Sequence, residues 1–190
     1  MLSRLFPSSL LCGKSSVVNH HSEEDDSDGP VITPRQARKS TRCIFCNVSR
    51  DNGFDVVYED AEFIAFRDYN PSSLHHLQVI PRDHIDSVKS LSRSDIERVR
   101  RMAKVGNSIL DEWNVPALDR RLGFHIPPFN TVNHLHLHVQ ALPYKSRLRQ
   151  MKYPISRRSD PYVKGFSWFV EVRQAIQLLE RGKKITVSSC

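Results

Sequence analysis

The sequence lacks the features that define several large classes of protein. No window approaches the roughly 18 uninterrupted apolar residues of a membrane-spanning helix, so no such segment is predicted. Four cysteines in 190 residues are too few and too scattered for a disulfide framework. There are no internal repeats and no regular alternation of strands and helices. With 39% apolar and 26% charged residues, the composition predicts one soluble globular domain flanked by tails.

Both ends of the chain are predicted to be tails. Residues 1–40 include the acidic stretch "SEEDDSDGP" and show no apolar periodicity, so they cannot bury enough surface to order themselves. The first 22 residues hold basic residues, serines and leucines but no acid, which is typical of a mitochondrial or plastid transit peptide. Pro7 interrupts an amphipathic helix there, so an extension without a targeting role is the other interpretation. Residues 183–190 are predicted to form a short C-terminal tail.

Positive charge is concentrated in the last quarter of the chain. Residues 145–190 contain 11 Lys and Arg against 3 Asp and Glu, whereas residues 1–144 contain 17 against 18. The cations of "KSRLRQMK" and "SRR" are suited to an anionic partner such as nucleic acid. They would equally serve as a solvated surface, and the sequence leaves both interpretations open.

The remaining part, residues 41–182, has the pattern of an α+β domain with an antiparallel sheet of about five strands. "FDVVYED" and "EFIAFRD" predict a hairpin, and "HHLQVIP", "RLGFHI" and "HLHLHVQAL" predict three further strands. One long helix follows Ser92 or Ser94, with apolar residues at three- and four-residue steps up to Trp113. "GFSWFVEVRQAIQLLE" predicts a closing helix that ends before Gly182.

The segment "HLHLHV", residues 134–139, carries the chemistry of the sequence. Successive side chains of a strand point to opposite faces, so His134, His136 and His138 share one face and the apolar residues between them share the other. Three imidazoles in register suit a zinc site made from all three. They also suit a histidine nucleophile that attacks phosphorus, and a plain polar face is the third interpretation.

This pattern, with its neighbours, resembles the histidine triad superfamily of nucleotide hydrolases and transferases. "CIFCNV", "FIAFRDYNP", "HHLQVIPRDHI" and "RLGFHIPPFNTVNHLHLHV" occur in the order and spacing of its Hint branch and cover residues 43–144. The last segment is similar to the third and fourth Hint-type subgroups and to the catalytic domain of aprataxin. The resemblance implies the histidine triad fold, a homodimer whose sheets join edge to edge through the "RLGFHI" strand and the long helix, and a cytoplasmic or nuclear location.

The resemblance also implies catalytic roles for four residues. His136 corresponds to the histidine that attacks the α-phosphorus and carries the nucleotide as a covalent intermediate. His138 would donate hydrogen bonds to the phosphoryl oxygens, and His76 would orient the site. Thr131 stands where the family has a hydroxyl that protonates the leaving amine.

The nucleotide site implied by the resemblance centres on one carboxylate. Asp68 corresponds to the acidic residue that accepts hydrogen bonds from both ribose hydroxyls, a sound match of two donors with a two-oxygen acceptor. The other residues implied to contact the nucleotide are Phe45, Val48, Phe66, Tyr69, Leu137 and His138.

The spacing of Cys43 and Cys46 by itself indicates metal or redox chemistry. Some Hint relatives bind structural zinc through such a pair and two histidines, which correspond here to His84 and His134. These four residues would complete a tetrahedral Cys₂His₂ site. The catalytic chemistry itself is expected to need no cofactor.

The expected function is hydrolysis of the P–N bond of AMP–amine or AMP–lysine substrates, an adenosine 5′-monophosphoramidase activity. Two alternatives stay open: removal of AMP from nucleic acid ends, as in aprataxin, and a nucleotide-binding regulatory role with little turnover. No Cys/His zinc-finger spacing follows the histidines, which argues against removal of AMP from nucleic acid ends. Gln140 departs from the family pattern, which usually has an apolar residue there, so we expect an effect on substrate preference.

Overall fold

A computed structural model describes residue 40, residues 42–155 and residues 164–188 of the 190-residue chain. The predicted tail and transit peptide lie outside these residues, apart from residue 40. The helices and strands, in chain order, are β1 (Val56–Glu59), β2 (Phe63–Arg67), β3 (His76–Pro81), α1 (Ile96–Glu112), β4 (Arg120–His125), β5 (Leu137–Ala141), α2 (Arg147–Gln150), β6 (Phe169–Glu171) and α3 (Val172–Glu180). Short 3₁₀ turns occupy Ile44–Asn47, Val88–Ser90, Arg93–Asp95 and Ala117–Asp119.

The strands form one antiparallel sheet in the order β1-β2-β3-β5-β4-β6. The α+β prediction and its five strands are confirmed. The sheet has a sixth strand, because β6 pairs with the outer edge of β4 along Gly123–His125. In the centre, Gln78 of β3 is opposite His138 of β5, and His76 is opposite Gln140. This register brings the polar residues of two strands onto the same face of the sheet.

Alternate residues of the strands pack into two separate hydrophobic cores. In β2, Phe63 and Ala65 join the larger core beneath α1 and α3, whereas Ile64 and Phe66 join a smaller core on the other face. The smaller core also contains Phe45 from the N-terminal 3₁₀ turn. The N-terminal segment is thus held by apolar burial against the same face that carries the histidines.

The long helix α1 forms as the sequence predicts. Ser92 and Asp95 form a capping box before it, which satisfies main-chain N–H groups at the helix start. Asn114, with φ of 55°, follows its end. Gly106 allows close packing on the sheet, because a Cβ at this position would lie 2.6 Å from Val139 Cγ2.

The closing helix predicted within "GFSWFVEVRQAIQLLE" forms as α3, which starts at Val172. Phe169–Glu171, in the same segment, form the strand β6. The main-chain groups of β6 bond to the free edge of β4, and a capping box between Glu171 and Gln174 starts the helix. The predicted domain boundary at residue 182 leaves out a core residue, because Ile185 is fully buried.

Within the described residues, no helix is both long enough and apolar enough to cross a membrane. The basic segment after β5 is described up to residue 155 and contains α2. Its side chains at Lys145, Arg147 and Lys152 are exposed, whereas that of Arg149 is half-buried.

Candidate active site

The histidine segment has the two faces that the alternation predicts. The strand β5 itself begins at Leu137, and His134 and His136 lie in the chain just before it. Leu135, Leu137 and Val139 are almost completely buried in the larger core. The three histidines are also buried, on the opposite face, with exposed fractions of 1 to 6%.

His136 has one ring nitrogen committed to the main chain. Its Nδ1 lies 2.6 Å from the carbonyl oxygen of His134, and since a carbonyl only accepts, Nδ1–H is the donor. The lone pair of the neutral ring is therefore on Nε2. Burial lowers the pKa of His136 to about 4, so the ring is neutral at physiological pH. A neutral imidazole with a free Nε2 lone pair is the form that attacks phosphorus.

His138 lies between two other histidines. Its Nδ1 is 3.0 Å from Nε2 of His76, and its Nε2 is 3.0 Å from Nδ1 of His125. Burial holds the pKa of His138 well below its usual value and lowers the pKa of His76 to about 4. The structure thus brings His76 to the triad, as predicted, and adds His125, which the sequence analysis did not identify.

Asp68 lies beside the same histidines. Its Oδ2 accepts a hydrogen bond from Nε2 of Gln78 at 2.7 Å and lies 3.5 Å from Nε2 of His76 and 4.0 Å from Nδ1 of His138. The carboxylate is only 11% exposed. The second carboxylate oxygen accepts from the main-chain N–H of Asn70 at 2.8 Å.

A cavity of about 1070 Å³ opens onto these residues. The predicted nucleotide residues that line it are Phe45, Phe66, Asp68, Tyr69 and His138, and the predicted catalytic Thr131 lines it as well. The side chain of Tyr69 is fully exposed. Val48 and Leu137 are buried in the two cores and do not line the cavity. His136 does not line the cavity, but its ring contacts two residues that do, Phe45 and His138, at centroid distances of 5.5 and 5.0 Å.

Two aromatic groups contribute to the lining of the cavity. The rings of Phe45, Phe54 and Phe66 meet edge to face and offer apolar surface that is suited to a flat base. Phe129 stacks on Trp168, with ring centroids 5.3 Å apart, and Lys152 also lines the cavity. Phe129, Lys152 and Trp168 were not predicted, because they belong to separate segments with no motif of their own.

Gln140 is completely buried, and its amide contacts the histidine cluster. The side-chain Nε2 lies 3.4 Å from Nε2 of His76, and Oε1 accepts a hydrogen bond from the hydroxyl of Tyr144 at 3.1 Å. Gln140 does not line the cavity. The residue that departs from the family pattern therefore contacts His76 and does not line the cavity.

Cys43, Cys46, His84 and His134 come together as the resemblance implies. One donor atom from each lies within 4.8 Å of the others. The individual Sγ–Nδ1 distances are 3.5 Å for Cys43–His134, 3.2 Å for Cys46–His84 and 3.7 Å for Cys46–His134. In a tetrahedral site with Zn–S of about 2.3 Å and Zn–N of about 2.0 Å, a sulfur and a nitrogen ligand are about 3.6 Å apart. These three distances are close to that value, so the donor set suits a zinc ion.

The other ring nitrogens of the two histidines support the same arrangement. Nε2–H of His134 donates to the carbonyl oxygen of Pro81 at 2.9 Å, and Nε2 of His84 lies 3.2 Å from a carboxylate oxygen of Asp86. Ligand histidines usually donate their second N–H to a carbonyl or carboxylate, which directs the other lone pair to the metal. The three triad histidines, in contrast, do not converge on one point, since His134 faces the cysteines and His138 faces His76 and His125.

Comparison with known proteins agrees with this geometry. A family model described as "Scavenger mRNA decapping enzyme C-term binding" matches residues 42–153. The chain is 40% identical over 144 residues to adenosine 5′-monophosphoramidase HINT3 of Danio rerio, covering 74% of this chain and 84% of that protein. It is 43% identical over 114 residues to the bifunctional adenosine 5′-phosphosulfate phosphorylase/adenylylsulfatase HINT4 of Arabidopsis thaliana, covering 58% of this chain and 77% of that protein.

Among solved structures, a HIT family hydrolase from Clostridium thermocellum is 27% identical with a TM-score of 0.52, covering 57% of this chain and 96% of that one. A histidine triad protein from Clostridium difficile is 30% identical with a TM-score of 0.51, covering 57% and 100%. Fold, histidine geometry and sequence similarity thus agree, and the chain belongs to the histidine triad superfamily, in its Hint branch.

Proposed function

We propose that this protein is an adenosine 5′-monophosphoramidase that hydrolyses the P–N bond between AMP and an amine. The observation that carries the proposal is the bond from Nδ1–H of His136 to the carbonyl oxygen of His134, which leaves Nε2 of a neutral imidazole as the nucleophile. The name of the HINT3 relative of Danio rerio supports the substrate class.

The residues divide the reaction into two displacements. Nε2 of His136 attacks the phosphorus, the P–N bond to the amine breaks, and the amine leaves with a proton from the hydroxyl of Thr131. Water then attacks the phosphorus of the AMP–histidine and returns a proton to Thr131, while the P–N bond to His136 breaks and AMP is released. Nε2–H of His138 is placed to donate to a phosphoryl oxygen and so stabilise the charge that develops there.

The nucleotide is proposed to occupy the cavity with its base among the phenylalanines. Asp68 would accept hydrogen bonds from the ribose hydroxyls, as the family resemblance implies. In the ligand-free structure its Oδ2 accepts from Gln78, and Oε1 of Gln78 is a buried acceptor without a partner. Gln78 is therefore a further candidate for a contact with a ribose hydroxyl.

The decisive experiment traps the covalent intermediate. Adenosine phosphoramidate is mixed with the enzyme, the reaction is quenched within milliseconds to seconds, and peptides are analysed by mass spectrometry. We expect AMP on the peptide containing His136 and steady release of AMP. His136→Ala should abolish both, whereas the control His75→Gln, at a half-buried histidine whose ring contacts Trp113, should retain both. Full activity of His136→Ala would refute the nucleophile assignment.

The same assay separates the alternative substrates. Adenosine 5′-phosphosulfate is included because Lys152, which lines the cavity, suits an anionic leaving group and because one relative is named for that activity. Nicked DNA with an adenylated end tests the basic segment, and its turnover should fall steeply with salt if phosphates are bound there. AMP binding without turnover of any substrate would favour the regulatory role.

We also propose a structural zinc ion at Cys43, Cys46, His84 and His134. The matching donor distances and the second hydrogen bonds of both histidines support it. The zinc would join the N-terminal 3₁₀ turn to the histidine segment. It would take no part in the displacement steps, so brief treatment with EDTA should not stop turnover.

The homodimer remains a prediction, and the structure restricts how it would form. Along Gly123–His125 the outer edge of β4 already pairs with β6, so sheets cannot join through this stretch of the "RLGFHI" strand. Among the described strands, β1 and β6 are the free edges. Analytical ultracentrifugation at several concentrations tests the assembly. The cytoplasmic or nuclear location, with mitochondrial or plastid targeting as the alternative, is tested by imaging tagged protein with and without residues 1–40.

A further inference from the structure

His125, the last residue of β4, makes a contact that the proposed reaction does not use. Its Nδ1 lies 3.0 Å from Nε2 of His138, and the two rings meet at 81° with centroids 4.7 Å apart. His125 also lines the cavity. It is thus the nearest partner of the nitrogen that the mechanism assigns to the phosphoryl oxygens.

The direction of this hydrogen bond follows from the contact of the other nitrogen of His125, at one end of a series of hydrogen bonds. Nε2 of His125 lies 2.8 Å from the carbonyl oxygen of Lys152, which can only accept. Neutral His125 therefore carries its proton on Nε2 and presents a bare Nδ1. Nε2 of His138 must then be the donor between the two rings.

The other end of this series of hydrogen bonds, at His76, independently gives the same tautomer of His138. The main-chain N–H of Ser72 donates to Nδ1 of His76 at 3.1 Å, so neutral His76 carries its proton on Nε2. Nε2–H of His76 donates to Nδ1 of His138 at 3.0 Å. His138 therefore accepts on Nδ1 and donates from Nε2. Burial lowers the pKa of each of these three histidines, which keeps the rings in the neutral forms on which the chain depends.

We propose that His125 is a positioning residue that keeps the proton of His138 on Nε2. The opposite tautomer of His138 would present a lone pair to an anionic phosphoryl oxygen and repel it. His76 favours the Nε2–H tautomer from one side, and His125 supplies the matching acceptor on the other. Without that acceptor, the contact with His76 is the one remaining contact that selects the tautomer, and we infer that it is not sufficient by itself. When a phosphoryl oxygen replaces His125 as the acceptor, the proton is already on the correct nitrogen.

The surroundings of His125 fix its ring in this orientation. Its main chain pairs with Phe169 of β6, and its ring contacts those of Tyr153 and Phe169 at centroid distances of 5.0 and 5.4 Å. The sixth strand, which the sequence analysis did not predict, thereby holds the acceptor for the catalytic histidine.

Two variants distinguish the effect of the hydrogen-bond acceptor of His125 from the effect of its ring volume. His125→Asn keeps an acceptor, since Oδ1 of asparagine occupies nearly the position of Nδ1. His125→Leu keeps similar volume but has no acceptor. The ring-nitrogen shifts of ¹⁵N-histidine-labelled protein report the tautomer of His138 directly, with its signals assigned from a His138→Gln sample. Thermal unfolding and circular dichroism verify that each variant is folded, and His75→Leu is the control histidine substitution.

We expect wild type and His125→Asn to show His138 protonated on Nε2, with kcat within about threefold of each other. His125→Leu should show a mixture of tautomers and a kcat lowered roughly 10- to 100-fold, the usual effect of losing an orienting partner, with little change in KM. An unchanged tautomer in folded His125→Leu would overturn the proposal. So would equal losses of kcat in both variants, since they would indicate packing alone.

The kinetic part rests on the proposed function, whereas the tautomer measurement does not. If wild-type protein fails to hydrolyse adenosine phosphoramidate, the proposed function fails. The nitrogen shifts then still decide whether His125 sets the tautomer of His138.

Discussion

Nδ1 of His136 lies 2.6 Å from the carbonyl oxygen of His134, two residues earlier in the chain. The ring of His134 itself faces Cys43 and Cys46. One residue therefore takes part in both clusters, with its side chain at the cysteines and its main chain at His136, the proposed nucleophile. The orientation of the imidazole of His136 depends on how firmly His134 is held.

The first prediction concerns this link between the proposed zinc site and the proposed nucleophile. Protein purified without a His tag should contain about one zinc per chain, as a closed Cys₂His₂ site requires. Cys46→Ala should lose the metal, unfold at lower temperature and show a reduced kcat, because His134 is no longer fixed. Zinc is measured by plasma mass spectrometry and unfolding by calorimetry.

Cys190→Ser is the matched control for this prediction, since that cysteine belongs to no predicted ligand set. It should keep both the zinc and the unfolding temperature of the wild type. Wild-type protein with less than about 0.2 zinc per chain would contradict the site, since a tight closed site binds stoichiometrically.

The histidine face could be predicted because it depends on the chain locally. A two-residue period places the side chains of residues 134, 136 and 138 together, whatever the rest of the fold does. The buried leucines between them follow from the same period. Cys43, Cys46 and His84 are remote from His134 in sequence, so no local period brings them together with it. Their convergence on His134 was implied only by the family resemblance.

His125 and Gln140 could not be placed in this way. Their contacts depend on strand register, because Gly123 pairs with His138 and His76 with Gln140. Nothing local in "RLGFHI" or "VQAL" determines that register. The strand β6 was missed for a similar reason, since three residues carry too little periodicity to outweigh the helical pattern that follows.

The second prediction tests whether Asp68 binds ribose or only supports the histidines. Asp68→Asn should raise KM for adenosine phosphoramidate roughly 10-fold or more, since a charge-assisted hydrogen bond contributes about 1.5–3 kcal/mol. The 2′,3′-dideoxy analogue should show a similar rise with wild-type enzyme. Combining variant and analogue should add little, because both remove the same interaction.

Steady-state kinetics with the two substrates and two enzymes complete this cycle. Fully multiplicative losses would show that the carboxylate does not contact the hydroxyls. A fall in kcat without a change in KM would instead indicate that Asp68 supports His76, whose Nε2 lies 3.5 Å from Oδ2 of Asp68.

The third prediction concerns Gln140. Gln140→Leu removes a buried amide and leaves the hydroxyl of Tyr144 without its acceptor, so it should lower the free energy of unfolding by about 1–3 kcal/mol. It also removes the amide beside His76, so kcat should change while KM stays the same, because Gln140 does not line the cavity. Urea unfolding and steady-state kinetics measure the two effects.

Tyr144→Phe provides the comparison, because it removes only the hydroxyl at the far side of Gln140. It should lower stability without lowering kcat, and the double variant should be less destabilised than the sum of the two single variants. A KM effect of Gln140→Leu as large as that of Asp68→Asn would contradict the placement of this residue outside the substrate space.

The last prediction is the loss of stability in weak acid. Burial lowers the pKa of His76 from 6.5 to about 4, to which the charges of His125, Lys145 and Arg149 contribute, while Asp68 opposes the shift. In the unfolded chain the same imidazole protonates near 6.5. Between pH 6.5 and about 4 the unfolded state therefore binds more protons, and the free energy of unfolding must fall as the pH falls.

Urea unfolding at several values between pH 7.5 and 4.5 measures this slope. His138 and His125 add to it, because burial lowers their pKa values as well. His76→Gln isolates one contribution: its stability should depend less steeply on pH than that of the wild type, whatever its stability at pH 7.5. Parallel curves for the two proteins would show that His76 protonates as easily in the folded chain as in the unfolded one. That result would contradict a neutral His76 that accepts from the main-chain N–H of Ser72 and donates to His138.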